Sequence, residues 1–291
     1  MGLNMKKQHR TVFFVSESTG ITAETLGNSL LSQFPHIEFS YRHRPFIDDM
    51  EKAEKLLAEI SKVAVEEGEK PFVFATMPIP EINKLLDQCG CHYYEIFENY
   101  LDKISKDLGT EPSHESGISH GLGNQTAYDT RIDALNYTIT HDDAMVMKNL
   151  DQADVIIVGL SRSGKTPTSL YLALKYGIKA ANYPITEDDF ERFDLPNVLI
   201  ENSDKLIATT ISAQRLHQIR EKRRPDSHYS ALSTCQSEIK KAHALYARYN
   251  LTPLDVTTQS IEELATQIVR LLHLIPRQYT TKSVLQQVDE I

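Results

Sequence analysis

Only three cysteines, Cys89, Cys91 and Cys235, occur in 291 residues. So sparse and odd a set excludes a disulfide framework and suits a reducing compartment. Cys89-Gly-Cys-His92 has the look of half a metal knuckle, yet no second pair completes four ligands, and ordinary thiols on a turn are expected. No apolar run approaches the roughly 18 residues that a membrane span requires. The first ten residues are polar and lack an apolar centre, against a secretory leader, and Lys6 stands where a myristoylation signal needs Ser or Thr. Basic excess is missing as well. A formal net charge of -9 argues against a general nucleic-acid surface, but leaves room for a local phosphate pocket. Internal repeats and low-complexity tracts are absent. A cytoplasmic globular protein of one large or two ordinary α/β domains is expected.

What is present is an alternation of short apolar runs with helical periodicity. Strands are predicted at 11–15, 37–42 and 71–75, separated by helices at about 22–34 and 48–67 and followed by one at 80–88. The stretch 93–108 also reads as helical. Residues 109–124 have little apolar content, and a linker is assigned to 113–125. Its histidines, His114 and His120, are candidate ligands or proton relays, with plain solvation as the alternative. Past a helix at about 126–140, a second strand–helix series begins near Asp154. Strands are predicted near 179–183, 197–200, 205–209 and 254–256, and helices at 212–224, 230–249 and 260–272. Two α/β units with parallel sheets follow, spanning 1–112 and 126–291. The helix from Thr126 fits either unit.

Gly159-Leu-Ser-Arg-Ser-Gly-Lys-Thr166 matches the phosphate-loop pattern G-x-x-x-x-G-K-[ST] at every fixed position. It follows the apolar run 154–159 and precedes the helical stretch 169–175, as such a loop must. Glycines let the backbone wrap an anion, and the following helix adds the positive end of its dipole. Lys165 reaches the outer phosphates, and the Thr166 hydroxyl suits Mg²⁺. The second unit therefore reads as a P-loop kinase-like domain whose nucleotide-binding residues are Gly159, Leu160, Ser161, Arg162, Ser163, Gly164, Lys165 and Thr166.

Other constellations are less specific. Ser16 to Gly20 forms a strand-to-helix junction that suits an anion or merely caps the helix through Ser18, Thr19 and Thr22. Arg215, Arg220, Lys222, Arg223 and Arg224 cluster on and after one helix. They fit either contacts to a transferred phosphoryl group or a solvated basic helix end, with Arg220, Arg223 and Arg224 the candidate contacts. For a carboxylate, Asp142, Asp143, Asp188, Asp189 and Asp255 are all candidates, and no pattern singles one out.

Together these segments resemble the regulatory proteins of phosphoenolpyruvate synthase and of pyruvate, phosphate dikinase. The resemblance runs through Val15 to Gly27, Tyr128 to Asp143, Gly159 to Ala173, Tyr176 to Pro184 and Leu254 to Glu263. Gly164 and the wording of Gly20 to Gly27 are similar to the synthase branch. Ala144 departs from the pattern, since glycine is usual there and a turn with positive φ favours it. The resemblance implies an ADP-dependent kinase that inactivates its target on a threonine. It further implies a phosphate-dependent dephosphorylation that releases pyrophosphate, a synthase or dikinase partner, and a homodimer. ADP, inorganic phosphate and Mg²⁺ would meet at the loop, with Lys165 stabilising charge in both directions. Lys165 and Arg162 are the candidate catalytic residues, Arg162 binding the acceptor or free phosphate, with a loop-stabilising contact as its alternative.

Two other readings fit the loop alone. A small-molecule kinase using ATP would explain the second unit but not the first, and a non-catalytic ADP-sensing adaptor would bind without turnover.

Overall fold

A computed structural model of the chain describes residues 8–113 and 125–277. The chain divides into two compact units, Met1–Leu122 and Gly123–Ile291. The segment containing His114 and His120 lies outside the described residues.

In the first unit, β1 (Gln8–Ser16), β2 (Ile37–Arg44), β3 (Phe72–Thr76) and β4 (His92–Glu95) form one parallel sheet in the order β2-β1-β3-β4. Period-two alternation along β1 sends Phe13 and Val15 to one face and Val12 and Phe14 to the other. Helices α2 (Met50–Glu67) and α3 (Pro80–Asp87) cover the first face through Leu56, Ile60 and Leu86. On the other face, α1 (Ile21–Leu31) contributes Ala23 and Leu31, and Gly27 lets it lie close, because a Cβ there would sit 2.5 Å from the Phe14 ring.

Two details of this unit depart from expectation. Residues 93–95 are strand rather than helix; the helix α4 starts only at Glu98 and runs to Leu108. Tyr94 stacks over Phe74 and Phe72, at 5.2 and 6.3 Å between ring centres, and this cross-strand aromatic ladder overrides the local helical spacing. Cys89 and Cys91 are joined as a disulfide instead of standing as free thiols, while Cys235 is free and buried.

The second unit repeats the topology. After α5 (Gln125–Thr140) come β5 (Val155–Gly159), α6 (Lys165–Tyr176), β6 (Ala180–Pro184), α7 (Glu187–Arg192) and α8 (Asn197–Ile200). They are followed by β7 (Leu206–Thr210), α9 (Ala213–Arg223), α10 (Leu232–Arg248), β8 (Leu254–Asp255) and α11 (Ile261–Leu271). The parallel order is β6-β5-β7-β8, so both units are α/β with parallel sheets, and the second has a kinase-like arrangement. All five residues of β5 are buried, as a central parallel strand requires. Val155 and Ile157 face α6 and α11, while Ile156 and Val158 join the core built with α8, α9 and α10. The helix α5 belongs to this unit and packs on α6 and β6.

Residues 197–200, expected as a strand, form the short helix α8. Leu199 enters the core as a helical side chain behind Pro196. Since β5 lies between β6 and β7, the chain leaves its carboxyl end where the order reverses direction. Open parallel sheets carry their crevices at such a switch point.

Candidate phosphate and nucleotide site

The turn after β5 is shaped by close packing and two left-handed residues. Gly159 lies against β7: a Cβ there would approach Thr209 Oγ1 to 2.2 Å and Ser163 Oγ to 2.9 Å, so only glycine fits. Arg162 has φ 75° and Gly164 φ 80°, and Gly164 is the N-cap of α6 with no side-chain cap. The first amides of α6 are left to serve something else. Buried Ser163 is pinned by a 3.0 Å hydrogen bond to Thr209 Oγ1.

Lys165 opens α6 and is only 4% exposed. Its Nζ donates to the Leu160 carbonyl at 3.1 Å, so the ammonium lies over the loop. Burial pushes its pKa down to about 8, against the opposing pull of the Asp143 and Asp142 carboxylates.

The next residue brings in a carboxylate. Thr166 Oγ1 donates to Asp142 Oδ1 at 2.8 Å, and Asn182 Nδ2 donates to the same oxygen. Asn182 Oδ1 in turn accepts from the Asp143 amide at 3.0 Å, tying the 142–144 turn to β6. Upstream, the His141 ring contacts the Tyr137 and Lys148 carbonyls at 2.8 and 2.9 Å and stacks on Tyr137. Asp143 and Ala144 both adopt left-handed backbone, φ 46° and 58°. The turn is therefore kept with alanine at a left-handed position.

Of the remaining candidate acids, Asp188 is exposed on α7, and Asp189 and Asp255 lie in other roles. Asp189 is fully buried and accepts from the Tyr183 hydroxyl and from the amide and hydroxyl of Thr186, and it pairs with Arg192. That is a capping box. Asp255 closes a local turn through Thr257. Of the five acids, Asp142 and Asp143 are the pair brought to the loop.

A cleft of about 460 Å³ opens over the segment from Ser161 to Thr168. Asp143 and Arg215 stand at its polar side, and Ile211, Ile219, Val256 and Leu264 supply an apolar wall. In that wall the buried Gln259 Oε1 has no hydrogen-bond partner.

The arginines divide. Arg220, 1% exposed, donates to the carbonyls of Ser161 and Tyr229 at 3.2 and 3.1 Å and pairs with Glu238 at 2.7 Å. It braces the loop from behind. Arg223 and Arg224 are exposed and line a second, smaller cleft with Arg162. Spacing along the chain did not single out Thr209, Asn182, Tyr229 or Glu238. Asn182 lies inside the Ala-Asn-Tyr-Pro run but carries no chemical signal of its own.

In the first unit the loop after β1 has a matching frame, with Gly20 at φ 77° as the N-cap of α1. Gly20 takes the place expected for Ser18 or Thr19, and no side chain caps the helix. Ser16 Oγ accepts from Thr76 Oγ1 at 3.0 Å, as Ser163 meets Thr209. Where the second loop has Lys165, this one has the exposed Ile21.

Comparison with known proteins agrees with this frame. The kinase/pyrophosphorylase family model matches residues 12–269. A protein of Thiocapsa roseopersicina named "Putative phosphoenolpyruvate synthase regulatory protein" is 47% identical over 264 residues, covering 91% of this chain and 97% of its own. Proteins of the same name from Bordetella parapertussis (45% over 261 residues, 90% and 95% covered) and Azoarcus sp. (45% over 266, 91% and 96%) are similar along the same length. The chain belongs to the kinase/pyrophosphorylase family.

Proposed function

We propose that this member of the kinase/pyrophosphorylase family regulates phosphoenolpyruvate synthase by reversible phosphorylation of a threonine. In one direction the threonine hydroxyl attacks the β-phosphorus of ADP, forming phosphothreonine and releasing AMP and a proton. In the other, inorganic phosphate attacks the phosphothreonine phosphorus, releasing pyrophosphate and restoring the hydroxyl. The observation that carries the reading is the convergence of Lys165, Thr166 and Asp143 on one cleft, with Asp142 bonded to Thr166, in a chain whose relatives bear the regulator's name over nine-tenths of its length.

Each residue has a physical task in this scheme. The free amides at Gly164 to Thr166 and the Lys165 ammonium hold the phosphoryl oxygens on which charge builds, in either direction. Thr166 Oγ1 and Asp142 Oδ1, 2.8 Å apart, form an all-oxygen pair of the kind Mg²⁺ accepts. Among the described residues no cluster of three His, Cys, Asp or Glu could hold a metal, so the nucleotide and water would complete its shell. When bound, Mg²⁺ supplies charge neutralisation between phosphates. Asp143 faces the cleft and is the group to take the threonine proton, then return it to the leaving oxygen in the reverse step. The apolar wall suits a purine.

The test is incubation with β-labelled ADP or γ-labelled ATP, with and without purified phosphoenolpyruvate synthase. Label on a synthase threonine from ADP alone supports the reading, and so does its release as pyrophosphate on adding phosphate. Transfer from ATP to a metabolite would replace it with a small-molecule kinase, and binding without transfer with an ADP-sensing adaptor. Lys165→Ala is expected to abolish both directions. Loss of kinase activity with full phosphate-dependent dephosphorylation would overturn the shared cradle.

A further inference from the structure

Beside the nucleotide cleft lies a second one of about 250 Å³, lined by Ser161, Arg162, Arg223, Arg224 and Tyr229. The two share only Ser161 and Arg162 in their linings. We infer that this second cleft is a separate binding site for a phosphate dianion, either free phosphate or the phosphothreonine of the protein target. The inference rests on the proposed function and deepens it.

Charge is the first argument. Three guanidiniums surround the space, and no carboxylate lines it. Among the described residues Arg162, Arg223 and Arg224 form no ion pair, as is also true of Arg131, Arg215 and Arg270, but only these three gather around one hollow. In a chain of net charge -9, three guanidiniums around one hollow with no carboxylate in its lining give it a local positive potential that favours an anion.

The second argument is construction. Tyr229 forms the back of the cleft, held by a 2.9 Å hydrogen bond between its hydroxyl and Ser161 Oγ. The Arg220 guanidinium stacks 4.1 Å from the Tyr229 ring centre, and Arg224 lies 6.0 Å from it. Because Glu238 neutralises Arg220, that residue builds the wall and leaves the binding charge to the other three. Guanidinium forks arranged this way match phosphate oxygens.

The third argument is stoichiometry. The phosphate-consuming direction must hold inorganic phosphate and phosphothreonine together, two dianions meeting at one phosphorus. Lys165 and Arg215 in the first cleft must already balance the phosphates of the nucleotide or of one dianion. A neighbouring cleft with three cations, joined to the first through Arg162, supplies the rest.

The experiment uses the full chain and the double variant Arg223→Gln/Arg224→Gln, which alters exposed side chains only. The KM for inorganic phosphate, or that for the phosphorylated synthase, is expected to rise at least about tenfold, a loss of roughly 1.4 kcal/mol, with the Kd for ADP unchanged within about twofold. Which of the two moves identifies the source of the dianion. Neither moving, or ADP affinity falling in step, overturns the site. Independently of turnover, inorganic phosphate and then a phosphothreonine peptide are titrated calorimetrically into the ADP-saturated protein. Wild type should bind one of them and the double variant neither; no binding of either to wild type overturns the site. Binding without transfer to the synthase would leave the site standing and remove the proposed function. Transfer with unmoved KM values would do the reverse.

Discussion

Thr166 on α6 donates a 2.8 Å hydrogen bond to Asp142, 24 residues earlier in the chain. That bond joins the phosphate loop to a turn that the loop motif does not contain. Asp142→Asn keeps the shape but replaces a charged acceptor with a neutral amide facing Asn182. Transfer is expected to fall about 100-fold or more, as when one preorganised transition-state partner is lost. The Mg²⁺ concentration for half-maximal rate should rise with it. Full activity at unchanged Mg²⁺ dependence would remove Asp142 from the site.

Lys165 carries a pH dependence whose sign follows from burial. Its pKa of about 8 in the ligand-free site must rise when an anion binds beside it. Binding therefore takes up a proton when the pH is at or above about 8 and none well below it, so ADP affinity falls as pH climbs from 7 to 10. Calorimetry at pH 8.5 in two buffers of different ionisation enthalpy is expected to show this uptake. Lys165→Arg, charged throughout, should not show it.

Gly159 tests the contact between β5 and β7. Gly159→Ala places a methyl 2.2 Å from Thr209 Oγ1, and overpacking of this kind costs about 1–3 kcal/mol. Denaturation midpoints should show that loss. Adding Thr209→Ala should recover part of it, and no recovery would mean the strain lies elsewhere.

Arg220 and Glu238 are expected to matter for stability first. Arg220→Met leaves Glu238 and two carbonyls without their donor, which should cost roughly 3 kcal/mol. Glu238→Gln should cost less, since Glu238 is one-fifth exposed. Urea unfolding of both variants measures the difference.

Ala144 sits at φ 58°. Ala144→Gly is expected to stabilise the protein by up to about 1 kcal/mol, because glycine takes left-handed backbone without steric cost. A lower melting temperature would show that the alanine methyl contributes packing that outweighs the strain.

The loop Gly159–Thr166 was legible at once, because an anion cradle needs fixed residue types at fixed local spacing. So was the strand–helix alternation, because burial of parallel strands writes apolar runs into the chain. The errors arose where the deciding neighbour is remote. Residues 93–95 have helical spacing but Tyr94 stacks on Phe72 and Phe74, and residues 197–200 look like a strand but form a helix that sends Leu199 into the core.

From the sequence alone came the phosphate loop, the two α/β units and a set of five acids and several arginines of equal standing. Tertiary structure chose among them. It brought Asp142 and Asp143 to Thr166, made Asp189 a buried cap, and placed Arg220 behind the loop with Arg223 and Arg224 beside it. The reason is distance. A loop's backbone is determined by residues within one turn of it, but which carboxylate or guanidinium meets it depends on sheet order and helix packing across tens of residues, where local spacing carries no information.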